Sequence, residues 1–131
     1  MLLPFSGHEY RTIDAKCRVV IPAKIRERIA QRNPKCHDVW FQPEVRNESN
    51  FLSCYDFVGL PKELNVDGAF IYYATPDEQS RIVVPKFERQ FARLINKVVI
   101  AASPDMTHFE IWNEEYFKES YGTKPSPSNP Q

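Results

Sequence analysis

The feature that most constrains this chain is an internal repeat. Asp14-Ala15-Lys16-Cys17-Arg18-Val19-Val20-Ile21-Pro22 returns 63 residues later as Asp77-Glu78-Gln79-Ser80-Arg81-Ile82-Val83-Val84-Pro85. The offset is kept at Asp14 and Asp77, Arg18 and Arg81, Pro22 and Pro85, and Arg26 and Arg89. Each copy reads as turn, strand and helix in quick succession. An Asp opening a turn accepts a hydrogen bond from the backbone two residues on, so DxxxR is a tight connection between two strands. The β-branched runs Val19-Val20-Ile21 and Ile82-Val83-Val84 suit buried strands. Proline then closes the strand and presets φ for the first helical turn. Each Arg stands where turn becomes strand, free to reach outward while the core holds the strand behind it.

The flanking segments extend this into two ββαβ-like units. In the first, strands at 8–13 and 18–21 precede a helix at 23–32, with Ile25 and Ile29 on one face and Lys24, Arg28 and Arg32 in a cationic row. Asn33-Pro34 stops that helix. An apolar strand at 38–42, a polar loop at 43–50 and a strand at 51–55 follow. In the second unit, strands are expected at 69–75 and 81–84, and a helix with Phe87, Phe91, Leu94 and Ile95 on one apolar face. A closing hairpin at 97–102 and 108–112 leads to a last helix capped by Asn113. The units span 5–57 and 69–118. The connector at 56–68 contains Gly59, Pro61 and Gly68, with one helical turn at 62–64, and the polar tail at 121–131 is expected to be disordered. The fold class is mainly β with short helices, α+β overall.

With 131 residues, 42% of them hydrophobic and 26% charged, the chain suffices for one compact domain or two small intertwined ones. A formal net charge of zero exerts no whole-molecule pull on nucleic acid or membranes. Charge is nevertheless uneven, since residues 1–40 carry eight Lys and Arg against four Asp and Glu. Three cysteines, Cys17, Cys36 and Cys54, form no even disulfide framework, and reduced cytoplasmic thiols are the simpler reading. Met1-Leu2-Leu3-Pro4-Phe5 lacks the basic region of a secretory signal, and no apolar run is long enough to cross a bilayer.

The tandem units, with DxxxR before a strand and Pro after it, resemble the MraZ family of bacterial transcriptional regulators. DAKCRVVIPAKIRE is similar to that family's first signature, DEQSRIVVP to its second, and FEIWNEEYF to its closing strand and helix, together covering residues 5–118. The resemblance implies a pseudo-two-fold, AbrB-type swapped-hairpin β-barrel, assembly into a homo-oligomeric ring, and binding of double-stranded DNA carrying direct repeats upstream of a division and cell-wall gene cluster. It also implies a cytoplasmic, nucleoid-associated protein. Three departures stand out: Cys17 and Ser80 occupy positions where the family usually has Gly, Lys86-Phe87-Glu88-Arg89 shifts the apolar residue after Pro85 by one place, and the connector is short.

On these grounds Arg18 and Arg81 are the leading candidates for DNA contact, with Lys16, Asp14, Asp77 and Arg11 around them. Each Arg has a second reading, an ion pair folded back across its own turn onto Asp14 or Asp77. The cationic row on the first helix is a secondary candidate for phosphate contact, its plainer reading being a solvated face. Trp40, Phe41, Tyr72, Tyr73, Phe109 and Trp112 read as core or interface ahead of a base-stacking surface. Cys36-His37 and Cys54 lack metal-ligand spacing, and no nucleophile with a positioned base is evident. No cofactor, metal, small-molecule ligand or catalytic residue is expected. An oligomeric interaction module that keeps the barrel without reading DNA is the competing function.

Overall fold

The structure, a computed structural model, describes residues 2–65 and 72–122. The first unit forms β1 (His8–Thr12), β2 (Arg18–Val20), α1 (Ala23–Arg32), β3 (Val39–Arg46) and β4 (Ser49–Tyr55). The second forms β5 (Tyr73–Ala74), β6 (Arg81–Val83), α2 (Lys86–Phe91), β7 (Lys97–Ala102) and β8 (Phe109–Asn113). α3 (Glu114–Phe117) and a π-helical turn (Lys118–Gly122) close the described chain.

The pairing of strands exchanges parts between the units. One sheet runs β1-β7-β8-β4-β3-β5, so the first strand of each unit lies against the hairpin of the other. β1 pairs with β7, and β5 with β3, both antiparallel. The second sheet is the antiparallel ribbon β2–β6, built from the two repeat copies themselves. This is the swapped-hairpin, mainly β arrangement that the resemblance implies. Its core is shared, because Ile13, Val19, Ile25, Phe41 and Leu52 pack in one cluster with Ile82, Leu94, Val98, Ile100 and Ile111.

The repeat also holds at the level of single bonds. The Arg26 backbone N–H donates to the Pro22 carbonyl, as that of Arg89 does to Pro85. The Arg26 Nη1 donates to the Ile21 carbonyl at 3.2 Å and the Arg89 Nη1 to the Val84 carbonyl at 3.0 Å. These arginines lock the strand-to-helix corner, which explains their recurrence without assigning them a ligand.

Several expectations need correction. The polar loop at 43–50 is strand: β3 continues to Arg46, and a two-residue turn at Asn47-Glu48, both with positive φ (52° and 67°), delivers the chain into β4. Such a turn matches the twist of the flanking strands. The second helix stops at Phe91 because Arg93 takes a left-handed φ of 55°. Its N–H donates to the Gln90 carbonyl and that of Leu94 to the Arg89 carbonyl, the Schellman pattern of helix termination. Leu94 is therefore buried while Phe87 and Ile95 are exposed. Arg32 leaves the cationic row, since its side chain is almost fully buried against Asp56 (Nε to Oδ2, 3.0 Å) and under the Phe5 ring. Tyr72 and Tyr73 are exposed, whereas Phe41, Phe109 and Trp112 are core. Tyr121, expected in the tail, packs on Trp112 and Phe117. The 3₁₀ turn Lys62–Asn65 falls where a helical turn is expected; residues 66–71 and the tail beyond 122 lie outside the described residues.

Candidate functional site

Each DxxxR turn is built around its aspartate. The Asp14 carboxylate accepts the backbone N–H of Lys16 (2.9 Å) and of Arg18 (2.8 Å) on Oδ1, and the Arg18 Nε on Oδ2 (2.8 Å). Asp77 repeats the arrangement with Gln79 N (2.8 Å), Arg81 N (2.9 Å) and Arg81 Nε (2.7 Å). The Arg18 and Arg81 backbone bonds lead in holding the two carboxyls below the usual carboxylate range. Cys17 and Ser80 close the turns with φ of 64° and 62°, the left-handed conformation that glycine adopts without cost. They donate their backbone N–H to the Asp14 and Asp77 carbonyls, both at 2.9 Å.

Of the two readings of the arginines, the fold-back pair forms, yet it occupies only part of each guanidinium. The bond runs through Nε, and the Nη groups of Arg18 and Arg81 make no hydrogen bond among the described residues. The side chains keep 24% and 27% of their surface in solvent. A guanidinium held this way is fixed in direction while its outer N–H edge can meet a planar bidentate acceptor.

The ribbon then sets where these edges point. Its register opposes Arg18 to Val83, Val19 to Ile82 and Val20 to Arg81. Alternation sends Val19 and Ile82 into the core and leaves Arg18, Val20, Arg81 and Val83 on the outward face. The two turns sit at opposite ends of the ribbon, and their arginines share one side. Each turn borders a cleft whose far side comes from the other unit: Asp14 and Cys17 line one with Arg89 and Arg93, and Asp77 and Ser80 one with Arg26 and Ile29.

The remaining candidates separate. Lys16 is exposed at the first turn, with no carboxylate paired to it among the described residues, and its counterpart is the neutral Gln79. Arg11 is not on the ribbon: it lies in β1 of the larger sheet, with Nη2 on Glu9 Oε1 at 2.8 Å and Nη1 on the Tyr10 carbonyl. Sequence reasoning misses the outward Val20 and Val83, which a run of β-branched residues disguises as uniformly buried. The signal was their i, i+2 relation to each Arg.

Two groups of buried polar side chains elsewhere bond to one another within the fold. Glu110 is buried, receives Arg46 at 2.7 Å and 3.1 Å, and accepts the Trp112 indole N–H. His108, whose pKa is lowered by burial, lies within 3.2 Å of the Ser53 hydroxyl. Among the described residues no cluster of His, Cys, Asp or Glu is placed to hold a metal ion, and no helix is long and apolar enough to cross a membrane.

No family model matches the chain. It is similar along most of its length to curated bacterial proteins named transcriptional regulator MraZ. That of Ligilactobacillus salivarius is 32% identical over 120 residues, covering 85% of this chain and 82% of the relative. That of Lactiplantibacillus plantarum is 30% identical, covering 88% and 86%, and that of Solidesulfovibrio magneticus 27%, covering 88% and 83%.

Proposed function

The chain belongs to the MraZ family of transcriptional regulators, and on that premise we propose that it binds double-stranded DNA sequence-specifically through the outward face of the β2–β6 ribbon. One observation carries the reading: Arg18 and Arg81 share that face, each steered by its own aspartate, each with an unengaged outer N–H edge. That edge suits the O6 and N7 acceptors of guanine in the major groove. Asp14 and Asp77 act as positioning residues, Lys16 adds a phosphate contact at the first turn, and Arg11 serves at most as a peripheral backbone contact. The work is recognition, not catalysis.

A ribbon of three residue pairs is a small footprint, so affinity comes from several subunits engaging repeated boxes together. The protein would then act as a homo-oligomer, a ring in the family's manner. Its DNA target would be direct repeats upstream of a division and cell-wall gene cluster, and its location the cytoplasm, at the nucleoid. Binding weakens steeply with salt, since phosphate contacts release counterions.

An electrophoretic shift with the DNA upstream of the protein's own operon tests the reading. Arg18→Ala should weaken binding at least about fivefold, the lower bound for one bidentate base contact. Binding equal to the unmodified protein would remove Arg18 from the interface. Failure to distinguish repeat-containing from scrambled DNA would leave the interaction module as the function.

A further inference from the structure

We propose that Val20 and Val83 are specificity-determining residues of this interface, each reading the methyl group of a thymine in the major groove. The inference rests on the DNA-binding reading above and extends it from charge to apolar contact. Its basis is the pattern on the ribbon's outer face, where Arg18 stands opposite Val83 and Val20 opposite Arg81. The face is a square with arginines at one pair of corners and valines at the other. The two rows are about 7 Å apart along the strands, close to the rise of two base-pair steps.

The valines are 38% and 52% exposed, whereas the residues between them, Val19 and Ile82, are 1% and 0% exposed. Strand pairing alone asks for a β-branched residue at these positions, and threonine would meet that demand while remaining solvated. Instead, two isopropyl groups stand in water, each beside a guanidinium. A two-stranded ribbon fits the major groove, and the thymine C5-methyl is the apolar group displayed there. Burying valine against phosphate or a guanine edge would gain little; burying it against that methyl removes two apolar surfaces from water at once. With arginine on guanine, the arrangement selects a thymine close to each contacted guanine. The ribbon's pseudo-two-fold makes the same demand twice.

The test uses the full chain and a duplex that it selects from a randomised library. Each thymine is replaced singly by deoxyuridine, which removes the methyl and nothing else. At one or more thymines near a guanine the replacement should weaken binding about fourfold, the worth of one buried methyl. Val83→Ala, a substitution at an exposed position, should still select a duplex through its arginines and lose the sensitivity at one of those thymines. Affinity indifferent to deoxyuridine at every position would overturn the assignment while leaving the arginine interface standing, and so would a full deoxyuridine penalty retained at each of them by Val83→Ala. Selection of no duplex would instead overturn the DNA-binding reading, and the valine assignment with it. Val20→Ala, at the other exposed corner of the ribbon, supplies the same comparison if Val83→Ala does not fold.

Discussion

Cys17 and Ser80 show how a turn can hold a backbone conformation that its residues do not favour. Both sit at left-handed φ, a conformation costing a side chain about 1–2 kcal/mol, and three hydrogen bonds to each aspartate hold the turn in place. Glycine would relieve the strain and give back roughly 0.4–1 kcal/mol through its looser unfolded chain. Ser80→Gly should therefore stabilise by about 0.5 kcal/mol. Cys17→Gly should gain less, because the Cys17 side chain packs against the main core. Urea denaturation of the two variants, with Ala15→Gly as a control expected to destabilise, checks the sign. A loss of stability for Ser80→Gly would mean that the serine side chain contributes something its hydrogen-bond partners do not reveal.

Among the elements, α2 is the one whose end is hardest to see in advance. Its Schellman bonds to Gln90 and Arg89 are complete, but the left-handed position belongs to Arg93, where most helices of this kind use glycine. Arg93→Gly should raise the unfolding midpoint, with a gain of up to about 1 kcal/mol, and leave the far-ultraviolet spectrum unchanged. A longer helix in the variant, seen as increased helical signal, would contradict the termination mechanism. The same residue explains what the sequence could and could not convey. Turn, ribbon strand and α1 were legible because Asp, Pro and Asn33-Pro34 are local signals whose chemistry acts within a few residues. The length of α2 was not, because the apolar spacing of Phe87, Phe91, Leu94 and Ile95 continues past a stop that carries no glycine. Nor was the hairpin at Asn47-Glu48, since Pro43 and Glu44 read as loop until β4 is there to pair with them. At the site, the arginines and aspartates were legible from the repeat. The outward valines were not, because facing is decided by which strand β2 pairs with.

Across the whole molecule, the exchange of strands makes neither repeat unit a self-sufficient body. Without the second unit, β1 loses β7, β2 loses β6, and the core keeps Ile13, Val19, Ile25 and Phe41 with nothing from Ile82, Leu94, Val98 or Ile100 to cover them. The Arg46–Glu110 pair would also break, and exposed edges invite pairing with another chain. Residues 1–65 expressed alone should therefore not form a monomer with a cooperative melt. They should remain unfolded or pair with a second copy that supplies the missing ribbon strand. Co-expression with residues 66–131 should recover a one-to-one complex, because each half then receives the strand and hairpin it lacks. Sedimentation together with thermal denaturation distinguishes these outcomes, and a monomeric half that melts cooperatively would show that local contacts within one unit outweigh the shared core. The consequence extends to the interface. Arg18 and Arg81 come from different units yet meet on one ribbon face, so a surface that separates the two repeats in sequence exists only once both have folded together.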